Sequence, residues 1–517
     1  MRTADGSYIH RWKGLGVLIL TLFIIAIDNT VLNVALPAIS YDLQASASDL
    51  QWILDIYVLF FASLLLTSGS LSDRYGRKLL LNIGMAIFAL GSLGAALSPN
   101  TEMLILMRGL TGIGGAAMMP ATLSIMTDMF RDETERQKAI MIWSMSFGIG
   151  FGFGPVLGGW LVDNLSWEWV FYINLPIAII TLFASARYLP ESFDPSIPKE
   201  DLVGMGLSIV ALFTLIYAII KAGTHGWTQW DVLLNLAVGA LFMTVFILWE
   251  RRTPHAMMPM KLFKNRSFTI ATVVITLVMF GMMGTMYFFS QYLQTIQHYS
   301  ALAAGALLIP LTLAMTFATM IAMPMMKRFG MRWTTTIGVV ASALGMGWFW
   351  YMVDVDTTLW IIMTGFVIQG FGIGLAMMPA TESIMASLPQ SKLGIGSAMN
   401  DTARELGGAV SVAVMGAIMN AIYIAATVTL GSQGEVAVLG TTALELIQSS
   451  IQGAHAVAST VPNTHLEHII LTTADSAFVD GMRHAMAIGM IVTLLSALLA
   501  ALAMPSRQIV STHEELA

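Results

Sequence analysis

About fourteen apolar segments, each long enough to cross a lipid bilayer as a helix, recur along this chain of 517 residues. Charged residues, or breaks that contain Pro and Asn, separate them. Hydrophobic residues make up 56% of the chain and charged residues only 11%, which is too little polar surface to cover a water-soluble globule. The pattern predicts an all-α polytopic membrane protein of about 14 transmembrane helices. The first segment runs on through Asp28 and Pro37 without a small-residue cleavage site, so it is predicted to be a retained span.

The positive charges alternate between the connecting segments. Every second connection is rich in Lys and Arg, as at residues 74–78 and 131–138, whereas the intervening connections hold mainly Asp, Glu and Asn. Cytoplasmic loops of membrane proteins retain Lys and Arg, so the basic connections and both termini are predicted to be cytoplasmic, in a multi-pass protein of an inner or plasma membrane. The basic clusters are short and lie at helix ends, which argues against a nucleic-acid-binding surface. The absence of cysteine excludes disulfides.

An internal repeat divides the chain. The sequence AMMPATLSIM at residues 117–126 returns as AMMPATESIM at 376–385, and GSLSDRYGRK at 69–78 is answered more weakly by MPMMKRFGMR at 323–332. Both echoes keep the same membrane orientation, which predicts a parallel repeat of two six-helix bundles. The predicted boundaries are residues 1–190 for the first bundle, 191–260 for a linker and two additional helices, and 261–517 for the second bundle, with a long extracytoplasmic loop at about 427–474.

A glycine-rich run, GIGFGFGPVLGGW, lies at residues 148–160 inside an uncharged apolar stretch. Its small residues recur at helical spacing beside a proline, so a neighbouring helix can approach closely and the helix can bend. This pattern predicts a packing hinge, although a general small-residue packing face would share part of it. The hinge residues are Gly150, Gly154, Pro155, Gly158 and Gly159.

Five carboxylates interrupt otherwise apolar spans. Charged groups inside a membrane are costly, so each is a candidate for function. Asp28 lies in the middle of the first span and Asp55 in the second, while Asp401 and Glu405 share one helical face and Glu382 breaks the internal repeat. Burial favours the protonated form of a carboxylate, which can then hold either a proton or a cationic solute. These five residues are therefore predicted to couple proton binding to binding of a substrate cation.

Purely structural roles remain open for the same residues. Asp401 could pair with Arg404 one step round the helix, and Asp28 could stabilise a packing contact through Asn29. Arg108, the lone cation of the fourth span, must find a partner, either as a structural ion pair with a carboxylate or as a charge relay for protons.

A tight charged turn follows the second span. It suits a latch between helix ends better than a binding site, and it is predicted to act as a gate on the cytoplasmic side. The residues concerned are Gly69, Asp73, Arg74, Gly76 and Arg77.

The motifs of common enzymes are missing. The sequence has no phosphate-binding Walker loop, no HExxH zinc motif and no GxSxG nucleophile elbow. The chain is therefore predicted not to be an enzyme, to use neither ATP, metal nor cofactor, and to draw on a proton gradient. Its predicted partners are small-molecule substrates, protons and the lipid bilayer, and it is expected to function as a monomer.

Several of these motifs together resemble the fourteen-span drug:proton antiporters of the major facilitator superfamily, similar to QacA-like multidrug exporters. The resemblance covers nearly the whole chain and is carried by IDNTVLNVALP, QWILDIY, GSLSDRYGRK, GFGPVLGGW, SWEWVFYINLP and the run RELGGA. It implies export of lipophilic, mainly cationic drugs and antiseptics such as dyes and quaternary ammonium compounds. It also implies that Asp28, Asp55, Asp401 and Glu405 serve cation recognition or proton coupling.

The chain departs from this family pattern at a few positions. Thr111 stands where the family motif commonly has Gln, and Glu168 where a basic residue is usual. Residues 301–324 contain no acid, so strong recognition of dications is not expected. Two other functions remain open, because a fold does not fix a substrate: export of an endogenous metabolite such as a siderophore or antibiotic, and a transporter-like membrane sensor.

Overall fold

The computed structural model describes residues 8–43, 45, 47–193, 201–253, 256, 258, 260–388, 393–431 and 439–505. Helices dominate the described chain, with a 3₁₀ turn at Met260–Lys264 and a π-helical turn at Tyr292–Ile296. In chain order the helices are α1 (Arg11–Leu43), α2 (Ala47–Tyr75), α3 (Arg77–Ala96), α4 (Thr101–Met129), α5 (Glu133–Asn164), α6 (Trp169–Tyr172), α7 (Asn174–Tyr188), α8 (Leu202–His225), α9 (Trp230–Arg252), α10 (Arg266–Gln291), α11 (Ala301–Ala306), α12 (Ile309–Met352), α13 (Leu359–Ala386), α14 (Leu393–Gly431), α15 (Thr441–Ser449), α16 (Ile451–Ala458) and α17 (Thr464–Ala503).

Twelve helical stretches of the described chain are long and apolar enough to cross a membrane. One of them, Leu302–Met352, has 51 residues, and Gly330 within it adopts φ 77° and ψ 169°, so α12 consists of two helices that meet at this glycine. The 32-residue α5 is not among the twelve. The all-α polytopic membrane architecture is confirmed, while the count of fourteen spans and the side of the termini stay predictions.

Left-handed glycines mark the same position in both copies of the weaker repeat. Gly76 separates α2 from α3 with φ 124°, and Gly330, at the matching place in the second copy, has φ 77°. Residues with a side chain rarely adopt such values. The repeat therefore preserves a backbone turn at the end of the molecule that carries the basic connections.

The helices form two groups joined by a hairpin. We refer to α1–α7 as the N-terminal group, to α8–α9 as the extra hairpin and to α10–α17 as the C-terminal group. In the N-terminal group α1 packs on α5, and both α2 and α3 pack on α4. In the C-terminal group α10 packs on α14 and α17, and α12 packs on α13. The groups meet where α14 contacts α2 and α4, and where α5 contacts α11 and α12. The predicted domain boundaries stay predictions.

Close helix pairs within each group depend on glycine. A Cβ atom on Gly84 of α3 would lie 2.7 Å from the carbonyl oxygen of Gly114 in α4. A Cβ atom on Gly338 of α12 would lie 2.8 Å from the carbonyl oxygen of Gly372 in α13. Backbones this close leave no room for a larger residue, which explains why so apolar a chain keeps 45 glycines.

The segment predicted as a loop at 427–474 is largely helical, so that prediction is wrong. α14 extends to Gly431, α15 and α16 follow, and α17 already begins at Thr464. The reason is a helical spacing of apolar residues, because α16 buries Ile451, Ala454 and Val457, while Asn463 caps α17 by accepting the His465 N–H at 3.0 Å. Residues 432–438 of this segment, and residues 194–200 of the predicted linker, lie outside the described residues.

Candidate functional site

Asp28 is held in a buried polar cluster of the N-terminal group. Its Oδ2 accepts a hydrogen bond from Arg108 Nη1 at 2.6 Å, and its Oδ1 accepts one from Asn174 Nδ2 at 3.0 Å. The same amide nitrogen donates to Ser92 Oγ at 3.2 Å. Asp28 is 1% exposed and Arg108 2%, so the two charges neutralise each other away from water. Of the two roles predicted for Arg108, the structure displays the ion pair, and the relay role stays a prediction.

The guanidinium of Arg108 also lies against Tyr57 of α2. The distance from its central carbon to the ring centre is 4.6 Å, and its Nε donates to the Ile53 carbonyl at 3.3 Å. Tyr57 can approach α4 this closely because Gly112 has no side chain, since a Cβ there would lie 2.6 Å from the Tyr57 carbonyl oxygen. The phenol of Tyr57 interacts electrostatically with Asp28 on its own side and with Glu405 of α14 on the other. Tyr57 thus stands between the acidic residues of the two groups.

Asp401 and Glu405 lie one turn apart on α14. Asp401 is 1% exposed, and its Oδ1 accepts a hydrogen bond from Asn400 Nδ2 at 3.0 Å while its Oδ2 has no hydrogen-bond partner. Asn400 is oriented by the Thr381 hydroxyl, which donates to its Oδ1 at 3.0 Å. Glu405 is half-buried. In the described part of the chain, neither carboxylate has a basic group within 4.0 Å.

Arg404, which the sequence suggested as a partner of Asp401, is directed to the other helix group. Its guanidinium carbon lies 5.2 Å from the ring centre of Trp143 in α5. The indole N–H of Trp143 donates to Thr122 Oγ1 of α4 at 3.2 Å, which fixes the ring. The structural alternative in which Asp401 merely pairs with Arg404 is therefore not seen.

Asp55 of α2 is half-buried. It interacts electrostatically with the phenol of Tyr287, which belongs to the C-terminal group. Asp55 thus faces the boundary between the two groups, apart from the Asp28–Arg108 ion pair.

Asp73 joins the two groups at the end that carries the basic connections. Its carboxylate accepts hydrogen bonds from Arg77 Nε at 2.9 Å and Nη2 at 2.7 Å. It also accepts the backbone N–H of Gly394 at 2.9 Å and that of Ile395 at 3.2 Å, which are the first turn of α14. Gly69 lets the helices meet, because a Cβ there would lie 2.6 Å from the Gly394 carbonyl oxygen. A carboxylate at a helix N-terminus is favourable, so Asp73 and α14 form a closed contact.

The other residues of the charged turn make contacts within the N-terminal group. Gly76 takes a left-handed conformation, and a Cβ there would lie 2.7 Å from the carboxylate of Glu191. That carboxylate accepts the backbone N–H groups of Lys78 and Leu79 at 3.0 and 3.1 Å, at the start of α3. The guanidinium of Arg74 lies over the ring of Tyr75. The turn therefore has one side directed to α14 and one side directed to the connection after α7.

Glu382 lies in a second contact between the groups rather than beside Asp401. It is fully buried in α13, and its Oε1 accepts a hydrogen bond from Arg136 Nη2 of α5 at 3.0 Å. We refer to the contacts of Asp73 with Gly394 and of Arg136 with Glu382 together as the latch. The latch closes one end of the boundary between the two groups.

The predicted hinge glycines present two faces of α5. A Cβ atom on Gly150 would lie 2.8 Å from Ala26, and one on Gly158 would lie 2.6 Å from Val31. The Thr30 hydroxyl occupies the place of a Cβ on Gly154. These three glycines therefore pack on α1. On the opposite face, a Cβ on Gly159 would lie 3.1 Å from Leu302, and Gly305 of α11 meets Pro155. α5 continues as a helix through Pro155. The glycine-rich run therefore lets α5 pack closely between α1 and the C-terminal group.

Sequence reasoning missed four residues of this arrangement: Tyr57, Arg136, Trp143 and Asn174. Tyr57 and Asn174 lie inside motifs that it did quote, QWILDIY and SWEWVFYINLP. Arg136 was read as one of many basic residues of a connection. Trp143 carried no local signal, because a tryptophan in an apolar helix usually packs against lipid or core.

Comparison with known proteins gives a family for the chain and relatives that match most of its length. A sequence model of the Major Facilitator Superfamily matches residues 18–412. The multidrug efflux pump LfrA of Mycolicibacterium smegmatis is 34% identical over 94% of this chain and 95% of its own length. The methyl viologen resistance protein SmvA of Salmonella typhimurium is 32% identical over 92% of this chain and 93% of its own. The inward-facing, unoccupied crystal structure of a bacterial homolog of the human lysosomal transporter Spinster is similar in fold, with a TM-score of 0.59 at 17% identity over 96% of this chain and 98% of the other.

Proposed function

The chain belongs to the Major Facilitator Superfamily, and we propose that within it this protein is a proton-coupled antiporter that exports lipophilic, mainly cationic drugs and antiseptics from the cytoplasm. Relatives that match nearly its whole length are multidrug efflux and resistance transporters, which supports drug export. One observation carries the finer proposal: two carboxylates one helical turn apart, the buried Asp401 and the half-buried Glu405, lie at the boundary between the helix groups without an ion pair in the described part of the chain.

The coupling follows from the cost of buried charge. An ionised carboxylate removed from water needs a counter-charge, which a proton or a bound cation can supply. A cation bound at Asp401 and Glu405 keeps them ionised, whereas protonation removes the charge that holds the cation. Proton entry at this site therefore expels the substrate, and substrate binding expels the proton. No cofactor and no ATP enter this exchange.

Asp28 contributes differently in this proposal. Its charge is already neutralised by Arg108, so it attracts a substrate cation less than the two acids of α14 do. Its ion pair joins α1 to α4, and the Tyr57 phenol lies between it and Glu405. A change of charge at Glu405 therefore acts on the ion pair of Asp28 and Arg108, and through that ion pair on the N-terminal group. Asp55, near Tyr287, receives cations on their way to or from the site.

Exchange also needs a gate. Transporters built from two repeats move one bundle against the other around a fixed site. The latch closes one end in this structure, and the alternation of charged connections predicts that this end is cytoplasmic. The protein would then act as a monomer in the bacterial cytoplasmic membrane, and this structure corresponds to the state closed towards the cytoplasm.

The substrate class rests on charge and on relatives. Two carboxylates beside one arginine favour a cation, and the 38 methionines of the chain supply adaptable apolar surface for flat ligands. SmvA is a methyl viologen resistance protein. Methyl viologen is a dication, and residues 301–324 lack an acid that would favour dications. It is therefore a necessary second probe beside ethidium.

The test is efflux of ethidium from energised cells, with and without a protonophore. The intact chain is compared with Asp401→Asn, Glu405→Gln and Asp28→Asn, and with Asp163→Asn, which changes an exposed acid outside the site. Efflux should stop with the protonophore and in the two α14 variants, and should persist in Asp163→Asn. Efflux that persists in both α14 variants would overturn the assignment of the site. A well-expressed intact chain that exports neither ethidium nor methyl viologen would instead indicate an exporter of an endogenous metabolite.

A further inference from the structure

Arg404 is the only Lys or Arg in the sequence between Lys392 and Arg483, and it stands between two acids on the same helix. Asp401 precedes it by nearly one turn and Glu405 follows it directly. An arginine cannot lose its proton in a protein, so the position of its guanidinium decides whether these acids have a permanent counter-charge. Among the described residues, neither acid forms an ion pair.

Trp143 holds the guanidinium in another direction. The 5.2 Å between the Arg404 guanidinium carbon and the centre of the indole is a cation–π contact, and tryptophan is the best aromatic partner for it. Trp143 is fully buried, and its N–H is fixed by the hydrogen bond to Thr122. The ring is therefore a rigid platform that belongs to the N-terminal group.

The contact crosses the boundary that the latch closes. Trp143 lies two turns beyond Arg136 in α5, about 10 Å at 1.5 Å per residue, and Arg404 lies about 15 Å beyond Gly394 in α14. Both residues thus follow directly behind the two contacts of the latch. A movement that separates α5 from α13, and α2 from the start of α14, also separates Trp143 from Arg404.

We propose that Trp143 is a positioning residue that withholds Arg404 from Asp401 and Glu405 while the latch is closed, and that opening of the latch releases Arg404 to one of these carboxylates. This inference rests on the proposed function. With the latch closed, the acids accept a proton from the outer side. With the latch open, the guanidinium pairs with one carboxylate, and that carboxylate releases its proton to the cytoplasm. The other carboxylate is then left for the substrate cation.

In the described part of the chain, three kinds of charged or titratable group act on the two acids. They act on each other, Arg404 acts on both, and Tyr57 of α2 interacts with Glu405. Arg404 carries the permanent positive charge of this set, and its aromatic partner Trp143 belongs to the opposite helix group, so its position responds to separation of the groups.

The experiment measures binding of ethidium to the purified protein, because binding can be followed even in variants that do not transport. Trp143→Leu removes the aromatic face and should weaken ethidium binding about tenfold, since Arg404 then pairs with one of the two acids and only the other remains for the cation. It should also move the pH at which protons displace ethidium towards lower values. In an Arg404→Gln background, Trp143→Leu should have no further effect on either quantity.

Two further variants test whether a loss of binding comes from a damaged fold. Thr122→Val removes the hydroxyl that fixes the indole and should change ethidium binding in the same direction, again only when Arg404 is present. Trp160→Leu replaces an exposed tryptophan of the same helix and should leave binding unchanged. A loss of binding by Trp143→Leu or Thr122→Val that is equal with and without Arg404 would overturn the proposal.

The same measurement separates this proposal from the one on which it rests. If Asp401→Asn and Glu405→Gln both bind ethidium like the intact chain, or if the intact chain does not bind it, the proposed function fails and its premise is lost. If these variants lose binding but Trp143 and Arg404 act independently, the carboxylate site stands and the switch is refuted.

Discussion

Asp73→Asn is expected to open the latch without unfolding the chain. The Asp73 carboxylate accepts two hydrogen bonds from Arg77 within the N-terminal group and two from the backbone of Gly394 and Ile395 across the boundary. The Arg77 bonds lie within the N-terminal group, so a movement of α14 away from that group does not have to break them and they are not expected to bias the gate. The two bonds to α14 exist in the closed state and carry the bias.

The magnitude follows from the bonds that cross the boundary. An asparagine retains one oxygen that can accept, so the substitution removes about one charge-assisted hydrogen bond, worth about 1.5–3 kcal/mol. At about 1.4 kcal/mol for each factor of ten, the ratio of open to closed latch should rise roughly ten- to 150-fold. The loss of the negative charge at the start of α14 acts in the same direction.

The absence of cysteine from the chain makes this ratio measurable. Ser72 is fully buried, and its Oγ lies 2.6 Å from where a Cβ on Gly394 would be, so a cysteine at Ser72 is covered by α14. A water-soluble maleimide labels Ser72→Cys when the latch opens, and the labelling rate follows the open population. The rate should rise at least tenfold when Asp73→Asn is added, by the same estimate.

The control is a cysteine at the exposed Lys138, near the same end of α5, which should label equally with and without Asp73→Asn. A Ser72→Cys labelling rate that changes less than about twofold, in a variant that still folds, would refute the reasoning. It would mean that the hydrogen bonds between Asp73 and α14 do not hold the latch.

Two further predictions concern the boundary between the groups. Glu382→Gln should also raise Ser72→Cys labelling, because it removes an ion pair that crosses the boundary. A Glu382→Gln variant with unchanged labelling but weaker ethidium binding would instead place Glu382 in the cation site. Gly154→Ala should lower the free energy of unfolding of the purified protein by about 1–3 kcal/mol, and with it the melting temperature, because the added methyl group displaces a side chain of α1. Gly16→Ala is the control, because it has open space around it and should leave the melting temperature unchanged.

The sequence predicted those features that depend on local pattern. Apolar segments and alternating charge predicted the all-α membrane architecture, and the repeat predicted two related helix groups. The weaker repeat even contained the two left-handed glycines, Gly76 and Gly330. The segment at 427–474 was misread because its Gly, Ser, Thr and His content concealed the spacing of Ile451, Ala454 and Val457, which marks a short buried helix.

Partners of buried charges could not be predicted, because they come from helices that are distant in sequence. The sequence offered Arg404 as the obvious neighbour of Asp401, yet the folded chain turns it to Trp143 of the other group. It likewise offered Glu382 as a substrate carboxylate, because this residue breaks the repeat, yet Arg136 lies against it. Such pairs depend on how the two groups meet, and that arrangement leaves no local trace.

The distribution of buried charge bears on what this site can carry. Asp28 and Arg108 sum to zero, so this ion pair has no net charge to offer a ligand. Asp401, Arg404 and Glu405 sum to one negative charge when both acids are ionised, and that charge lies on a single helix of the C-terminal group. Because an uncompensated buried charge is costly, this cluster has room for one positive charge, either a proton or a monovalent cation. Two such charges at once would leave the cluster positive, so mutual exclusion between proton and drug follows from the charge of the cluster, before any movement of the helices is considered.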